Sequence, residues 1–379
     1  MKYNANKKAL IIAYGKFEKS TRGICVIAET LSELNYNIDY YEFPIYLNNK
    51  FFWLPYNLHR IGNINQKQYK VLIPYSTKFP KFIKSIFIKL FEWIHSAKLI
   101  NILKKREYNL IIIESGKQVF LANVIKKYKK ESKVIYRQSD PLELGIDEAL
   151  AKYERKIMKL ADLILIVNDK ILNYYKRIKY YDNNNNKFIL WENGFYIPEF
   201  DSVNPYSEKN NILYYGLFNI NITIIKKIAE AFKNVKIHII GPYNKYKNLE
   251  KYYTNIKFYG YIEYEKVLNY IKYADLCLIP YKNSERLNYF GITSKIFVFL
   301  YFNKIIINYS KKYKIELDCK NIINCSSFKD LYNIINIEIN KKQDLNYIID
   351  NKISTLLKIY SKENRKEELI KIMNIKQII

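Results

Sequence analysis

Residues Tyr259–Asn308 read YGYIEYEKVLNYIKYADLCLIPYKNSERLNYFGITSKIFVFLYFNKIIIN, and their order decides the fold. A short helical pattern ends at Ala274-Asp275. The apolar run Leu276–Pro280 is a buried strand, and a polar loop then leads to Ser294-Lys295, which opens an apolar helix. The run Lys304–Asn308 is the next strand. Strand, helix and strand in this order predict a parallel βαβ unit. A lysine in the first turn of a helix, just past the carboxyl end of a parallel strand, is placed to hold an anion. The helix amides and the positive dipole end point to the same spot. Open α/β sheets bind ligands along that edge. The stretch therefore predicts a phosphorylated ligand.

The same alternation runs outward in both directions. Ala9–Tyr14 is a buried strand, Thr21–Leu34 a helix with Ile24, Ile27, Ala28 and Leu31 on one face, and Ile38–Phe43 a second strand. Leu110–Ile113, Val134–Tyr136, Leu163–Val167 and Phe188–Trp191 are further core strands, with helices at Val119–Tyr128 and Asp147–Leu160. Pro198–Asn210 is polar, carries two prolines and reads as a linker. The alternation then restarts with strands Ile212–Tyr215, Lys236–Ile240 and Ile256–Tyr259, each followed by a glycine, and a helix at Ile222–Phe232. Phe328–Ile339 and the stretch from Asp344 onward are helical. The predicted class is α/β, with two doubly wound Rossmann-like domains, 1–197 and 211–343, joined by 198–210 and facing a cleft. Residues 344–379 are expected to pack back toward the first domain.

Bulk properties narrow the function classes. A chain of 379 residues with 49% hydrophobic content has room for two cores. No apolar run reaches the ~18 residues of a membrane helix; the longest, Ile296–Phe302, breaks at Asn303-Lys304. The N-terminal apolar run is short and lacks a small-residue cleavage site, so it reads as a core strand. Cys25, Cys277, Cys319 and Cys325 lack metal-site spacing and suit buried thiols in a reducing compartment. No Asp-x-Asp pair offers itself to a metal–nucleotide complex, so no metal is expected. The formal net charge is +27, but only 8 of the 63 basic residues are arginine, the usual reader of bases and phosphates. With Asn, Ile and Tyr also in excess, the lysines fit AT-rich coding drift, and no specific nucleic-acid partner is expected.

The small signals fall into a known order. Ala161-Asp162, Glu192-Asn193-Gly194, Tyr215-Gly216, Ile240-Gly241, Tyr259-Gly260-Tyr261, Ala274-Asp275, Ile279-Pro280 and Ser294-Lys295 together resemble the GT-B glycosyltransferases over nearly the whole chain. Ser294–Val298 is most like the Lys-x-x-Glu/Gln segment of the xanthan-type glucuronosyltransferases. The resemblance implies a nucleotide-diphosphate sugar as donor, with UDP the expected carrier and no separate cofactor. Lys295 would neutralise the diphosphate leaving group, where bond cleavage gathers charge. Gly216, Gly241, Glu263, Tyr281 and Ser294 would be further donor contacts. Each has a plainer reading: Lys295 on a solvated helix start, Glu263 and Tyr281 as surface side chains. Val298 departs from the pattern, because valine has nothing to bond a ribose with. The two-glutamate spacing common in retaining enzymes is also missing, since Thr293 stands eight positions after Glu285.

Asp140, in Tyr136-Arg137-Gln138-Ser139-Asp140-Pro141, lies just past a strand end. An inverting transfer needs a base for the acceptor hydroxyl, and the resemblance gives an aspartate at this place that role. The plainer reading is an Asp-Pro turn that caps the next helix. Arg137 is placed to orient the carboxylate or to meet the donor. Arg22, in Ser20-Thr21-Arg22-Gly23, is placed to line the acceptor side or to open a helix. His59, His95 and His238 have no triad context, and His238 reads as packed.

Between Ile45 and Arg106 stand twelve Lys/Arg and one acid, Glu92. Phe79, Phe82, Ile83, Ile86, Phe87, Leu90, Phe91 and Ile94 recur there at helical spacing, with Lys81, Lys84, Lys89, Lys98 and Trp93 among them and Phe51–Leu54 upstream. Such a helix either packs on the sheet or docks on an anionic membrane. The combined expectation is an inverting, metal-independent transferase, cytoplasmic and peripheral on the inner face of the cell membrane. It would act on a membrane-associated glycan or lipid-linked acceptor. The alternative is a catalytically inactive relative that binds nucleotide or glycan as a scaffold.

Overall fold

A computed structural model describes residues 7–18, 22–46, 59–71, 81–144, 148–178, 186–218, 220–341 and 351–379. The chain divides into two compact units, Met1–Gly194 with Lys362–Ile379, and Phe195–Ser361.

The first unit is built on β1 (Lys8–Ala13), β2 (Asn37–Tyr46), β3 (His59–Ile61), β4 (Ile64–Val71), β5 (Leu110–Glu114), β6 (Lys133–Gln138), β7 (Leu163–Ile166) and β8 (Phe188–Leu190), in the order β3-β4-β2-β1-β5-β6-β7-β8. Every neighbouring pair is parallel except the β3–β4 hairpin. Helices α1 (Gly23–Glu33), α2 (Lys81–Lys105), α3 (Ala122–Tyr128), α4 (Glu148–Leu160) and α5 (Asp169–Arg177) make the crossovers. β5 and β7 are buried along their whole length, which is why they read as unbroken apolar runs. β4 escaped the sequence reading for the opposite reason. Near the sheet edge, its INQKQYKV buries only Ile64 and Tyr69 among its described side chains.

The second unit has β9 (Asn211–Tyr215), β10 (Lys236–Ile240), β11 (Ile256–Gly260), β12 (Leu276–Ile279), β13 (Ile305–Tyr309) and β14 (Ile322–Cys325), with α6 (Ile222–Ala231), α7 (Tyr264–Tyr273), α8 (Ser294–Tyr301), α9 (Phe328–Asn340) and α10 (Asn351–Ile359). The order β11-β10-β9-β12-β13-β14, parallel throughout, is the 3-2-1-4-5-6 doubly wound arrangement. Strand order reverses between β1 and β5 in one sheet and between β9 and β12 in the other. The carboxyl ends at those two points are where such sheets take ligands.

The segment 198–210 is strapped to the second unit. Asn269 on α7 accepts from the Val203 amide at 2.9 Å and donates to the Asp201 carbonyl at 2.8 Å, and the Tyr206 hydroxyl donates to the Tyr270 carbonyl at 2.8 Å. The chain leaves the first unit at Gly194 and returns at Lys362, beside the bridge between Phe195 and Ser361. The C-terminal stretch is therefore two helices: α10 belongs to the second unit, and α11 (Lys362–Ile375) crosses back to the first. Leu369 and Met373 are fully buried in the core that holds β1 and α1. Lys362 pairs with Glu29 at 2.5 Å, Lys366 pairs with Glu33 at 2.5 Å, and the Trp191 indole donates to the Arg365 carbonyl at 3.1 Å.

Because α11 completes the first core, Leu369→Ala is expected to destabilise that unit by ~2–5 kcal/mol. Urea unfolding checks this. The expected outcome is an earlier transition of the unit that contains Trp191, although position 369 follows the second unit in sequence.

Candidate functional site

The carboxyl edge of the second sheet is shaped by glycines. Gly216 and Gly241 follow β9 and β10 with φ of +153° and +138°. The Gly216 amide donates to the Ile240 carbonyl at 3.1 Å and the Gly241 amide to the Gly260 carbonyl at 2.8 Å. A Cβ on Gly241 would collide with the Gly216 carbonyl, and one on Gly216 would occupy the place of the Lys295 ammonium. Lys295 sits in the first turn of α8, behind the Thr293 N-cap. Its ammonium donates to the Tyr215 carbonyl at 2.9 Å and lies 5.0, 5.5 and 5.4 Å from the ring centroids of Tyr214, Tyr215 and Tyr281. Among the described residues no carboxylate pairs with it. Three ring faces and one carbonyl stabilise the cation only in part, and burial lowers its pKa to about 7. The residue as a whole is only partly buried, but its ammonium lies deep, and desolvation alone accounts for the lowered pKa.

The tyrosines hold the cage together. The Tyr243 hydroxyl donates to the Phe218 carbonyl at 2.6 Å and receives the Tyr214 hydroxyl at 3.1 Å, which fixes the turn after Gly216. Tyr281 is 2% exposed and packs edge-on against Phe218. It therefore walls the lysine and offers no free face for stacking. Ser294 lies partly exposed at the start of α8. Glu263 is exposed beyond β11, where it pairs with Lys266 at 2.9 Å. Val298 is buried in the core, as are all five residues Ile296–Leu300; a polar side chain there would face apolar packing.

In the first unit the corresponding edge gathers around a residue the sequence reading passed over. Glu114 closes the apolar β5 and is buried. It accepts from the Tyr14 amide at 2.8 Å and from the Arg22 guanidinium at 2.9 Å. Burial raises its pKa, against the pull of Arg22. Arg22 also donates to the Tyr14 carbonyl, so it clasps the loop after β1. Next to Glu114, the Ser115 hydroxyl accepts from the amides of Ser139 and Asp140 at 3.0 and 3.3 Å. Asp140 is thereby seated on the edge with its side chain exposed.

Arg137 does not meet Asp140. It is fully buried, donates to the Trp191 carbonyl at 2.6 Å and to Asn193 at 2.8 Å, and lies 4.7 Å from the Trp191 ring. Burial lowers its pKa to about 9. Its job is to lock the Glu192-Asn193-Gly194 turn, and Gly23 leaves it room: a Cβ there would stand 2.7 Å from the Arg137 Nε. On the far side of β6, the Glu154 carboxylate accepts from the Tyr136 hydroxyl at 2.6 Å and from the Leu142 amide at 2.9 Å. Burial raises its pKa to about 7. His238 bridges Tyr259 at 2.8 Å and Asn211 at 2.9 Å, with its pKa lowered by burial to about 4, as a packed histidine should be. His95 is packed among Phe43 and Phe91. Ser20, Thr21, Phe51–Leu54 and Phe79 lie outside the described residues.

Residues 67–167, which run from β4 through β7 and include Glu114, Asp140 and Glu154, match the family described as glucuronosyltransferase GumK, N-terminal domain. The UDP-glucuronate:glycolipid 2-beta-glucuronosyltransferase of Xanthomonas campestris pv. campestris is 21% identical over 182 residues, 48% of this chain and 44% of that one. The match thus spans under half the length of this curated relative. Two solved structures are similar over nearly the whole chain. One, described as trehalose-6-phosphate from E. coli bound with UDP-2-fluoro glucose, has a TM-score of 0.70 at 9% identity, covering 98% of this chain and 100% of that chain. The other is the apo form of the lipopolysaccharide outer core galactosyltransferase WaaB, with a TM-score of 0.60 at 14% identity, covering 98% and 99%. The fold is accordingly the GT-B architecture of two doubly wound α/β units.

Lys295 is a cost to folding. Its pKa is about 7 in the fold, against the ordinary lysine value of 10.5 that it keeps when unfolded. Below pH 7 both states are charged and the full penalty applies; as pH rises from 7 toward 10.5 the folded lysine is neutral and the penalty fades. Lys295→Met is thus expected to raise Tm most below pH 7, with the difference from the parent shrinking at higher pH. Thermal unfolding of both proteins from pH 6 to 10 checks this.

Proposed function

We propose that this chain is a glycosyltransferase that moves a sugar, with inversion, from a nucleotide-diphosphate donor to a membrane-associated glycan or lipid-linked acceptor. The observation that carries the reading is Lys295: a caged cation with no carboxylate partner among the described residues, at the switch point of a 3-2-1-4-5-6 sheet. An anion would be the missing partner, and the N-terminus of α8, where Lys295 stands, favours one. The relative named for UDP-glucuronate makes UDP the carrier to test first. In the proposed reaction the acceptor oxygen attacks the anomeric carbon and the bond from that carbon to the diphosphate breaks. Asp140 takes the acceptor proton, and Lys295 stabilises the charge that gathers on the departing diphosphate. Gly216 and Gly241 let that group approach the backbone, while Ser294 and Glu263 stand at the same edge for the rest of the donor. No metal or further cofactor is part of the proposal.

A membrane-associated acceptor suits the surface of α2. Ile86, Trp93 and Leu90 are 66, 71 and 37% exposed, share one face at helical spacing, and lie beside the exposed Lys89. No described helix is long and apolar enough to cross a membrane. We assign this face to an anionic bilayer, on the cytoplasmic side, where each nearby lysine contributes ~1 kcal/mol. A second reading, a non-catalytic nucleotide-binding scaffold, draws on the buried Val298, which leaves α8 without the polar group that the resemblance calls for.

Asp140→Asn is expected to lower transfer at least ~100-fold while leaving UDP affinity unchanged by calorimetry. Turnover at the parent rate would refute the mechanism, and UDP binding without turnover in the parent itself would favour the scaffold. Trp93→Ser is expected to weaken sedimentation with vesicles containing anionic lipid; unchanged sedimentation would remove α2 from the docking surface.

A further inference from the structure

Glu154 is a carboxylate the proposed chemistry does not use. It is 1% exposed, on the face of α4 that packs against β6. One oxygen accepts from the Tyr136 hydroxyl on β6, the other from the amide of Leu142, two residues past Asp140. The segment that carries Asp140 is therefore gripped on two sides. Ser115 takes the Ser139 and Asp140 amides, and Glu154 takes the Leu142 amide. Between the grips lie Asp140 and the buried Pro141, and the turn closes when the Leu144 amide donates to the Pro141 carbonyl at 3.2 Å.

We propose that Glu154 is a positioning residue: through the Leu142 amide it fixes the 139–144 turn and so sets where the Asp140 carboxylate stands. The inference rests on the reading of Asp140 as the base. Burying an anion is an expensive way to hold a turn, since its charge assistance is bought with desolvation. Above pH 7 the ionised carboxylate costs stability, because burial raises its pKa to about 7 from the ordinary glutamate value of 4.5. A residue kept for stability alone would be better apolar. The groups that face it are the Tyr136 hydroxyl and Gln138 from β6, the Tyr175 hydroxyl from α5 and the Glu143 carboxylate from the turn. Glu143 is itself held by Arg155 at 2.5 Å and Tyr174 at 2.7 Å. As an anion Glu154 accepts both bonds. Once protonated, one oxygen carries a proton that must be given to Tyr136, Gln138 or Tyr175, and the bond from Leu142 loses its charge assistance.

The test compares Glu154→Leu, Glu154→Gln and Asp140→Asn in the full chain. Glu154→Leu removes the acceptor and is expected to lower kcat by roughly 10–100-fold with UDP affinity unchanged, while Glu154→Gln, which keeps an oxygen for Leu142, recovers most of that loss. In the parent, kcat is expected to fall on the acid side with a step near pH 7 that Glu154→Gln lacks. A folded Glu154→Leu protein with parental kcat would overturn the proposal, and so would equal losses in the Leu and Gln variants. If Glu154→Leu does not fold, the pH profiles decide: the same acid limb in the parent and Glu154→Gln would overturn it. Asp140→Asn separates the two claims. Turnover at the parent rate there refutes the base assignment, whereas an inactive Asp140→Asn beside an active Glu154→Leu refutes only the role of Glu154.

Discussion

A buried positive charge organises the second unit. A side chain at position 216 would displace the Lys295 ammonium and would have to adopt a φ of +153°, and Gly241 is required because its own Cβ would strike the Gly216 carbonyl. The tyrosines around the ammonium serve both purposes. Their rings temper the cost of the charge, and their hydroxyls tie down the turn that the glycines create. On the proposed reading, the charge left uncompensated is what an anion at the switch point of the sheet would balance.

The first unit solves a different electrostatic problem. Its edge carries Glu114, which is paired with Arg22, and a deeper Arg137, which is spent on Trp191 and Asn193. Both guanidinium groups that looked available in the sequence are committed to holding loops. Asp140 is left exposed on a turn whose Ser139, Asp140 and Leu142 amides are engaged by Ser115 and Glu154. Rigid backbone under an exposed carboxylate is the arrangement a general base requires.

The fold was legible because parallel sheets leave a strong mark. β1, β5, β7, β9 and β12 are apolar runs ended by turns or glycines, and helical spacing fills the gaps between them. β4 was invisible because a strand near the sheet edge with little buried side-chain area need not be apolar. The site was legible only where backbone geometry or helix position carried the signal, as at Gly216, Gly241 and Lys295. Partners set far apart in sequence could not be read: Trp191 with Arg365, 174 positions away, is one pair, and Glu114 with Arg22, 92 positions away, another. Tyr281 illustrates the limit from the other side. Its place after β12 suggested a ligand contact, but only the packing of Phe218 and Phe290 around it reveals a wall.

The most direct test of the central claim, that the caged lysine is the diphosphate-binding cation, is calorimetry of UDP at pH 8 in two buffers of different ionisation enthalpy. Free Lys295, with a pKa of about 7, is mostly neutral there, and a bound diphosphate favours its charged form. The expected result is proton uptake approaching one per UDP bound, with affinity falling as pH rises above 7 and no measurable binding by Lys295→Met. UDP binding without proton uptake, together with unimpaired binding by Lys295→Met, would contradict it.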